Sequence, residues 1–155
     1  MRTMRQLLDE YGESHQNSLN KTIHWVCVPT IFLTIVGLLF CIKLPFQITP
    51  TLQLNVRIMA MIAAMVYYFY LSKPLSIGML LFTVFCLVVC NFIEKKLSTP
   101  LWFIYVVLFV AAWIGQFYGH KVEGKKPSFL KDLQFLLIGP AWLMSFIYTR
   151  FGIGY

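Results

Sequence analysis

Residues 22–42 read TIHWVCVPTIFLTIVGLLFCI, with one histidine and no acidic or basic side chain. At 1.5 Å of rise per residue, a helix of this length covers a hydrocarbon layer of roughly 30 Å. Lipid offers the backbone no hydrogen-bond partners, so a spanning segment must be a helix or part of a closed barrel. Barrel strands alternate apolar and polar residues. This run is apolar throughout and reads as a helix. Outward from it, further apolar runs occupy 52–71, 75–93, 101–118 and 133–148. The fold expected is therefore all-α. It is a multi-pass transmembrane bundle of about five membrane segments behind a short polar leader, with residues 1–155 forming one integral-membrane domain.

Composition agrees. The chain has 155 residues, 59% hydrophobic and only 12% charged, against about a quarter charged in soluble domains. Its net charge of +7 raises nucleic acid as a partner. The basic residues are scattered singly among the loops, however, which fits membrane topology and anionic headgroups. No nucleic-acid partner is expected. Cys27, Cys41, Cys86 and Cys90 lie in or beside apolar runs without a C-x-x-C pair and read as small apolar residues. The polar first twenty residues, with Asp9, Glu10 and Glu13, do not read as a cleavable signal.

Leu7, Leu8 and Tyr11 allow a short amphipathic helix at the membrane interface. Asn17, Ser18 and Asn20 are N-cap types, placing the first helix start near Asn20. Pro29 is expected to kink that helix. Lys43, Pro45 and Pro50 form a loop. The second span reaches full length only if it begins near Leu52 and Arg57 snorkels to the headgroups. The short Ser72-Lys73-Pro74 turn makes spans two and three antiparallel neighbours. A polar stretch from Gly119 to Asp132 precedes the last run, which is short and contains Pro140. Tyr67, Tyr68, Tyr70, Trp25, Trp102 and Trp142 lie near span ends and read as interfacial aromatic belts.

Span parity brings the chain's three histidines to one side. His15 and His24 precede or open the first span, and His120 follows the fourth. That side also carries Arg2, Arg5, Lys21, Lys73, Lys121, Lys125, Lys126 and Lys131. The other carries Lys43, Arg57, Lys95, Lys96 and Arg150. The excess favours the histidine side as cytosolic. The membrane is either a bacterial inner membrane or the endoplasmic reticulum.

His15 and His24 are nine residues apart, about 180° around one unbroken helix. They converge only if the chain breaks between Asn17 and Asn20. Asn20 shares a helix face with His24 and is a candidate to cap the helix, orient His24 or touch substrate. Gln116 and His120 likewise share a face. Glu123 joins them if the helix continues past Gly119. It is then a fourth ligand, an acceptor fixing the His120 tautomer, or a base. Three histidines support a mononuclear site at most. The H-E-x-x-H zinc motif is absent, and Asp9 and Asp132 suggest no Ser-His-Asp arrangement. Neutral imidazoles suit iron(II), zinc, copper or nickel, and ligand type does not choose among them. The bland alternative is three incidental interfacial histidines.

At these clusters the sequence resembles the family named for metabolism of phytosphingosine to odd-numbered fatty acids. One signature is His15, Asn20, His24 and Pro29, with Cys27 where the family often has Gly. The other is Gln116, Phe117, Gly119, His120, Glu123 and Pro127. A closing Leu-rich run with Gly139-Pro140-Ala141 also fits, so the resemblance covers nearly the whole chain. It implies an iron(II)-dependent dioxygenase of lipid metabolism that shortens a 2-hydroxy fatty acid by one carbon, using O₂ and releasing CO₂. His15, His24 and His120 would be the metal ligands. Glu123, Asn20 and Gln116 would be the catalytic candidates. Lys21, Lys121 and Lys125 are candidates to steer the substrate carboxylate. Three histidines leave half the positions of a six-coordinate iron open, a variation on the facial-triad arrangement of non-haem oxygenases. A reading from another class is a small transporter or channel with an ion-binding histidine cluster. No acidic residue inside a span and no internal repeat favours it.

Overall fold

The computed structural model describes residues 2–42, 47–49, 52–53, 56–96, 100–127 and 133–155. Six helices and one small hairpin make up the described chain. They are α1 (Met4–Gly12), α2 (Ser18–Cys41), β1 (Gln47–Thr49), β2 (Leu52–Gln53), α3 (Val56–Leu71), α4 (Lys73–Lys96), α5 (Leu101–Glu123) and α6 (Phe135–Arg150). Lys43, Pro45, Pro50, Lys131 and Asp132 lie outside the described residues, as does the side chain of Arg57.

Three helices, not five, are long and apolar enough to cross a membrane: α2, α4 and α5. The expected spans at 52–71 and 133–148 are corrected. In the first, Leu52 and Gln53 pair antiparallel with β1 instead of entering a helix, leaving α3 with 16 residues. The last run gives α6, also of 16 residues. Such helices reach only about 24 Å. The fourth run errs the other way. Its helix continues through Glu123, so part of the presumed 119–132 loop is helical. Gly124 then stops it in the left-handed conformation at φ 72°. Gly124 N–H donates to the Lys121 carbonyl and Lys125 N–H to the His120 carbonyl, a Schellman ending that needs no side chain at that position.

Local chemistry explains the leader. Thr3 and Gln6 form a capping box that starts α1. Met4, Leu7, Leu8 and Tyr11 on one face are buried and share a core with Phe135, Ile138 and Trp142 of α6. The amphipathic face expected to lie on lipid is thus covered by α6. The Asn17 side chain accepts from Leu19 N and Asn20 N, starting α2 at Ser18, slightly earlier than Asn20. The α2 helix continues through Pro29.

Helices α2 and α5 pack on each other more extensively than any other pair of described elements, and glycines permit their close approach. A Cβ on Gly115 would stand 2.7 Å from Cys27 Sγ, and one on Gly37 would stand 2.5 Å from the Tyr105 ring. A Cβ on Gly119 would collide with Asn20 Oδ1. Gly115 and Gly119 form a G-x-x-x-G step, the small-residue device that lets membrane helices approach closely. Cys27, at the position where the resembling family often has Gly, packs its sulfur into the notch that Gly115 leaves.

Candidate metal centre

His15 sits just after α1, where its N–H donates to the Gly12 carbonyl at 2.9 Å. Its ring stacks on Tyr11, with centroids 4.2 Å apart and planes 12° from parallel. His24 lies in the second turn of α2 and His120 near the end of α5. The rings of His15 and His24 have centroids 4.2 Å apart, and His120 stands 4.9 and 5.0 Å from them. One nitrogen from each lies within 4.8 Å of the others. His15 and His24 are fully buried and His120 nearly so.

Tautomers decide what this cluster can do. His15 Nδ1 is 2.6 Å from the Tyr11 carbonyl oxygen, and His24 Nδ1 is 2.9 Å from the Asn20 carbonyl oxygen. A carbonyl only accepts, so both Nδ1 atoms carry the proton. A neutral imidazole has one proton, so both Nε2 atoms are bare. Yet those two Nε2 atoms face each other at 2.8 Å. Two lone pairs at that distance repel unless a cation lies between them. Metal–imidazole bonds are about 2.0–2.1 Å, so two such donors at right angles lie about 3 Å apart. His120 adds a buried Nδ1 with no hydrogen-bond partner. Burial, and then the neighbouring His24, push the His15 imidazole down to about 3. It is uncharged at neutral pH, as a ligand must be. The donor set fits a metal ion held by three neutral imidazoles.

Glu123 turns its carboxylate toward the α1–α2 junction. Its Oε1 accepts from Gln16 N at 2.8 Å. Its Oε2 accepts from Asn17 N at 2.8 Å and Asn20 Nδ2 at 3.0 Å. The carboxylate therefore ties the end of α5 to the α1–α2 junction. Asn20 also donates to the Ser14 carbonyl at 3.2 Å, while its Oδ1 lies buried against Gly119 without a partner. Gln116 is buried beside His24.

An apolar cavity of about 100 Å³ begins at Tyr11, Gln116 and His120 and runs along Val28, Ile31, Phe32 and Ile35 of α2. These α2 positions recur on one helix face. Ile35, at the far end, is on the outer surface of the bundle. On its other side His120 borders a shallow pocket with Lys121, Lys125 and Lys126. Lys125 Nζ also donates to the Glu13 carbonyl at 2.7 Å. Lys21 lines neither pocket.

Two aromatic assignments are corrected. Trp142 is buried with its ring 5.2 Å from His15, and Tyr68 is fully buried, donating to the Leu137 carbonyl at 2.6 Å. Neither belongs to a belt, whereas Trp25, Trp102 and Tyr70 are exposed. Tyr11 joins the site through the turn after α1, which folds His15 back onto its ring. In the sequence, the signal for α2–α5 packing is the G-x-x-x-G at 115–119.

Residues 1–151 match the Mpo1-like family, described as 2-hydroxy-palmitic acid dioxygenase Mpo1-like. The chain belongs to the Mpo1-like family. It is 29% identical over 143 residues to the 2-hydroxy-palmitic acid dioxygenase MPO1 of Saccharomyces cerevisiae, a match covering 91% of this chain and 77% of that protein. No solved structure matches the chain significantly. Both histidine signatures fall inside the Mpo1-like match.

Proposed function

We propose that this Mpo1-like protein is an iron(II)-dependent membrane dioxygenase that shortens 2-hydroxy fatty acids by one carbon, with His15, His24 and His120 as the ligands. The observation that carries the reading is the pair of bare Nε2 atoms facing at 2.8 Å, with both Nδ1 protons committed to carbonyls. The reaction balances without a co-substrate: R–CH(OH)–COOH and O₂ give R–COOH, CO₂ and H₂O. The substrate itself supplies the electrons.

Iron(II) would supply the open-shell chemistry by which O₂ reacts with a closed-shell acid. The chain's own residues do the rest. The Tyr11 and Asn20 carbonyls orient two imidazoles, as backbone acceptors commonly do for metal-bound histidines. Glu123 holds the α1–α2 junction against α5, so it positions ligands instead of moving protons. The Val28–Ile35 face takes the start of the acyl chain, which reaches the lipid-facing surface at Ile35. The exposed Lys121 attracts the carboxylate toward His120, and the shallow pocket beside it lets the acid approach from the aqueous side.

The test is metal analysis and oxygen uptake on the full chain purified in detergent. The wild type should hold about one iron per chain and consume O₂ with 2-hydroxypalmitate, forming the acid one carbon shorter. His24→Ala and His120→Ala should lose both properties. Full turnover in either variant would reject the site.

A further inference from the structure

We infer that the Tyr11 hydroxyl reads the polar head of the ligand, hydrogen-bonding the oxygen on the carbon beside the carboxylate. This deepens the 2-hydroxy acid reading and rests on it.

Tyr11 is held on several sides. Its ring stacks on His15 and its carbonyl accepts the His15 Nδ1 proton. Trp142 and Phe135 flank it at 5.4 and 6.0 Å. The rotamer is therefore fixed, and so is the place of the phenol oxygen. That oxygen lies against Gly139, where an added Cβ would come within 2.9 Å. Tyr11 lines the same cavity as Gln116 and His120, and its hydroxyl has no hydrogen-bond partner among the described residues. Tyrosines this deeply buried usually find one.

The other polar side chains at that end have tasks already. His120 belongs to the metal cluster and Gln116 lies beside His24. A ligand whose tail follows Val28 and Ile31 has its head between His120 and Tyr11. A 2-hydroxyl there meets a donor with no other partner. A plain fatty acid leaves that donor unpaired, and sites built to bond a hydroxyl discriminate against ligands lacking it.

The experiment compares 2-hydroxypalmitate with palmitate. Equilibrium binding to the iron-loaded full chain in micelles, without oxygen, is followed through quenching of tryptophan fluorescence, since Trp113 lines the cavity. The wild type should prefer the 2-hydroxy acid. Tyr11→Phe keeps the ring stack and the carbonyl, so it should retain its metal. It should bind palmitate as before and lose roughly three- to ten-fold for the 2-hydroxy acid, the worth of one hydrogen bond. Gly139→Ala crowds the same oxygen from α6 and should erode the same preference, which decides the matter if Tyr11→Phe loses iron. An equal loss for both acids, or a preserved preference, overturns the inference. A Tyr11-dependent preference in a protein that consumes no O₂ would sustain it and sink the dioxygenase reading. Oxygen uptake with a preference indifferent to Tyr11 would do the reverse.

Discussion

Each nitrogen of His15 and His24 has a single chemical option once its neighbours are counted. Carbonyls hold the two Nδ1 protons, and the two Nε2 lone pairs are left facing each other. Glu123 is constrained in the same way. Three donors converge on its two oxygens, two of them backbone N–H groups. A base needs a lone pair aimed at substrate, and a clamp needs both oxygens aimed at the junction, as here. Glu123→Ala is therefore expected to destabilise the protein by about 1.5–3 kcal/mol, the range for hydrogen bonds to a charged group. It should weaken iron retention in the same preparation. Glu123→Gln, which keeps one acceptor, should fall between and still turn over. Thermal melts in micelles, read beside iron content, check this. A Glu123→Gln protein with wild-type stability and iron but no activity would make Glu123 a base after all.

Helices α2 and α5 bring two of the three imidazoles together, and their separation is set where side chains are missing. Overpacking a close contact costs about 1–3 kcal/mol. Gly119→Ala drives a methyl into Asn20 Oδ1, one turn from His24 and one residue from His120. Gly115→Ala crowds chiefly the sulfur of Cys27, with Ile23 at ordinary contact distance, farther from the rings. Both variants should melt earlier, but Gly119→Ala should lose iron more steeply. Gly154→Ala, with nothing within 4 Å, should match the wild type. Equal iron loss at positions 115 and 119 would show that helix spacing is not transmitted to the ligands as argued. At this scale the apolar runs were readable, because lipid demands uninterrupted hydrophobic length. Their ends were less readable. Lys121 and Glu123 look like loop residues because they are charged, yet the helix continues through them until Gly124 stops it. Leu52 and Gln53 follow proline-rich chain and pair as a hairpin, which hydropathy alone does not distinguish from a helix start.

Across the whole molecule, His15 belongs to the α1–α2 junction, His24 to α2 and His120 to α5, so an ion bound by all three cross-links separate parts of the bundle. Parity predicted that the rings share one side. The contacts that close the site span more than a hundred residues, as from Glu123 to Gln16, and no local pattern encodes them. The fold of α6 back onto α1, which carries Trp142 to His15, is hidden for the same reason. Closing the site also requires α3, although short, to return the chain to the histidine side before α4 and α5 cross. On the proposed reading, the facing Nε2 atoms oppose this closure when no ion is bound, leaving Glu123 and the α1–α6 core to hold the leader. Ligand bound only by the folded form adds about 2.7 kcal/mol of stability at a hundred times its dissociation constant. Chelation is therefore expected to lower the melting temperature and to speed proteolysis between residues 13 and 21, with iron(II) reversing both. In His120→Ala the chelator should have little effect on either readout. A wild-type junction that resists protease equally with and without chelator would mean that protein contacts alone hold the three rings together.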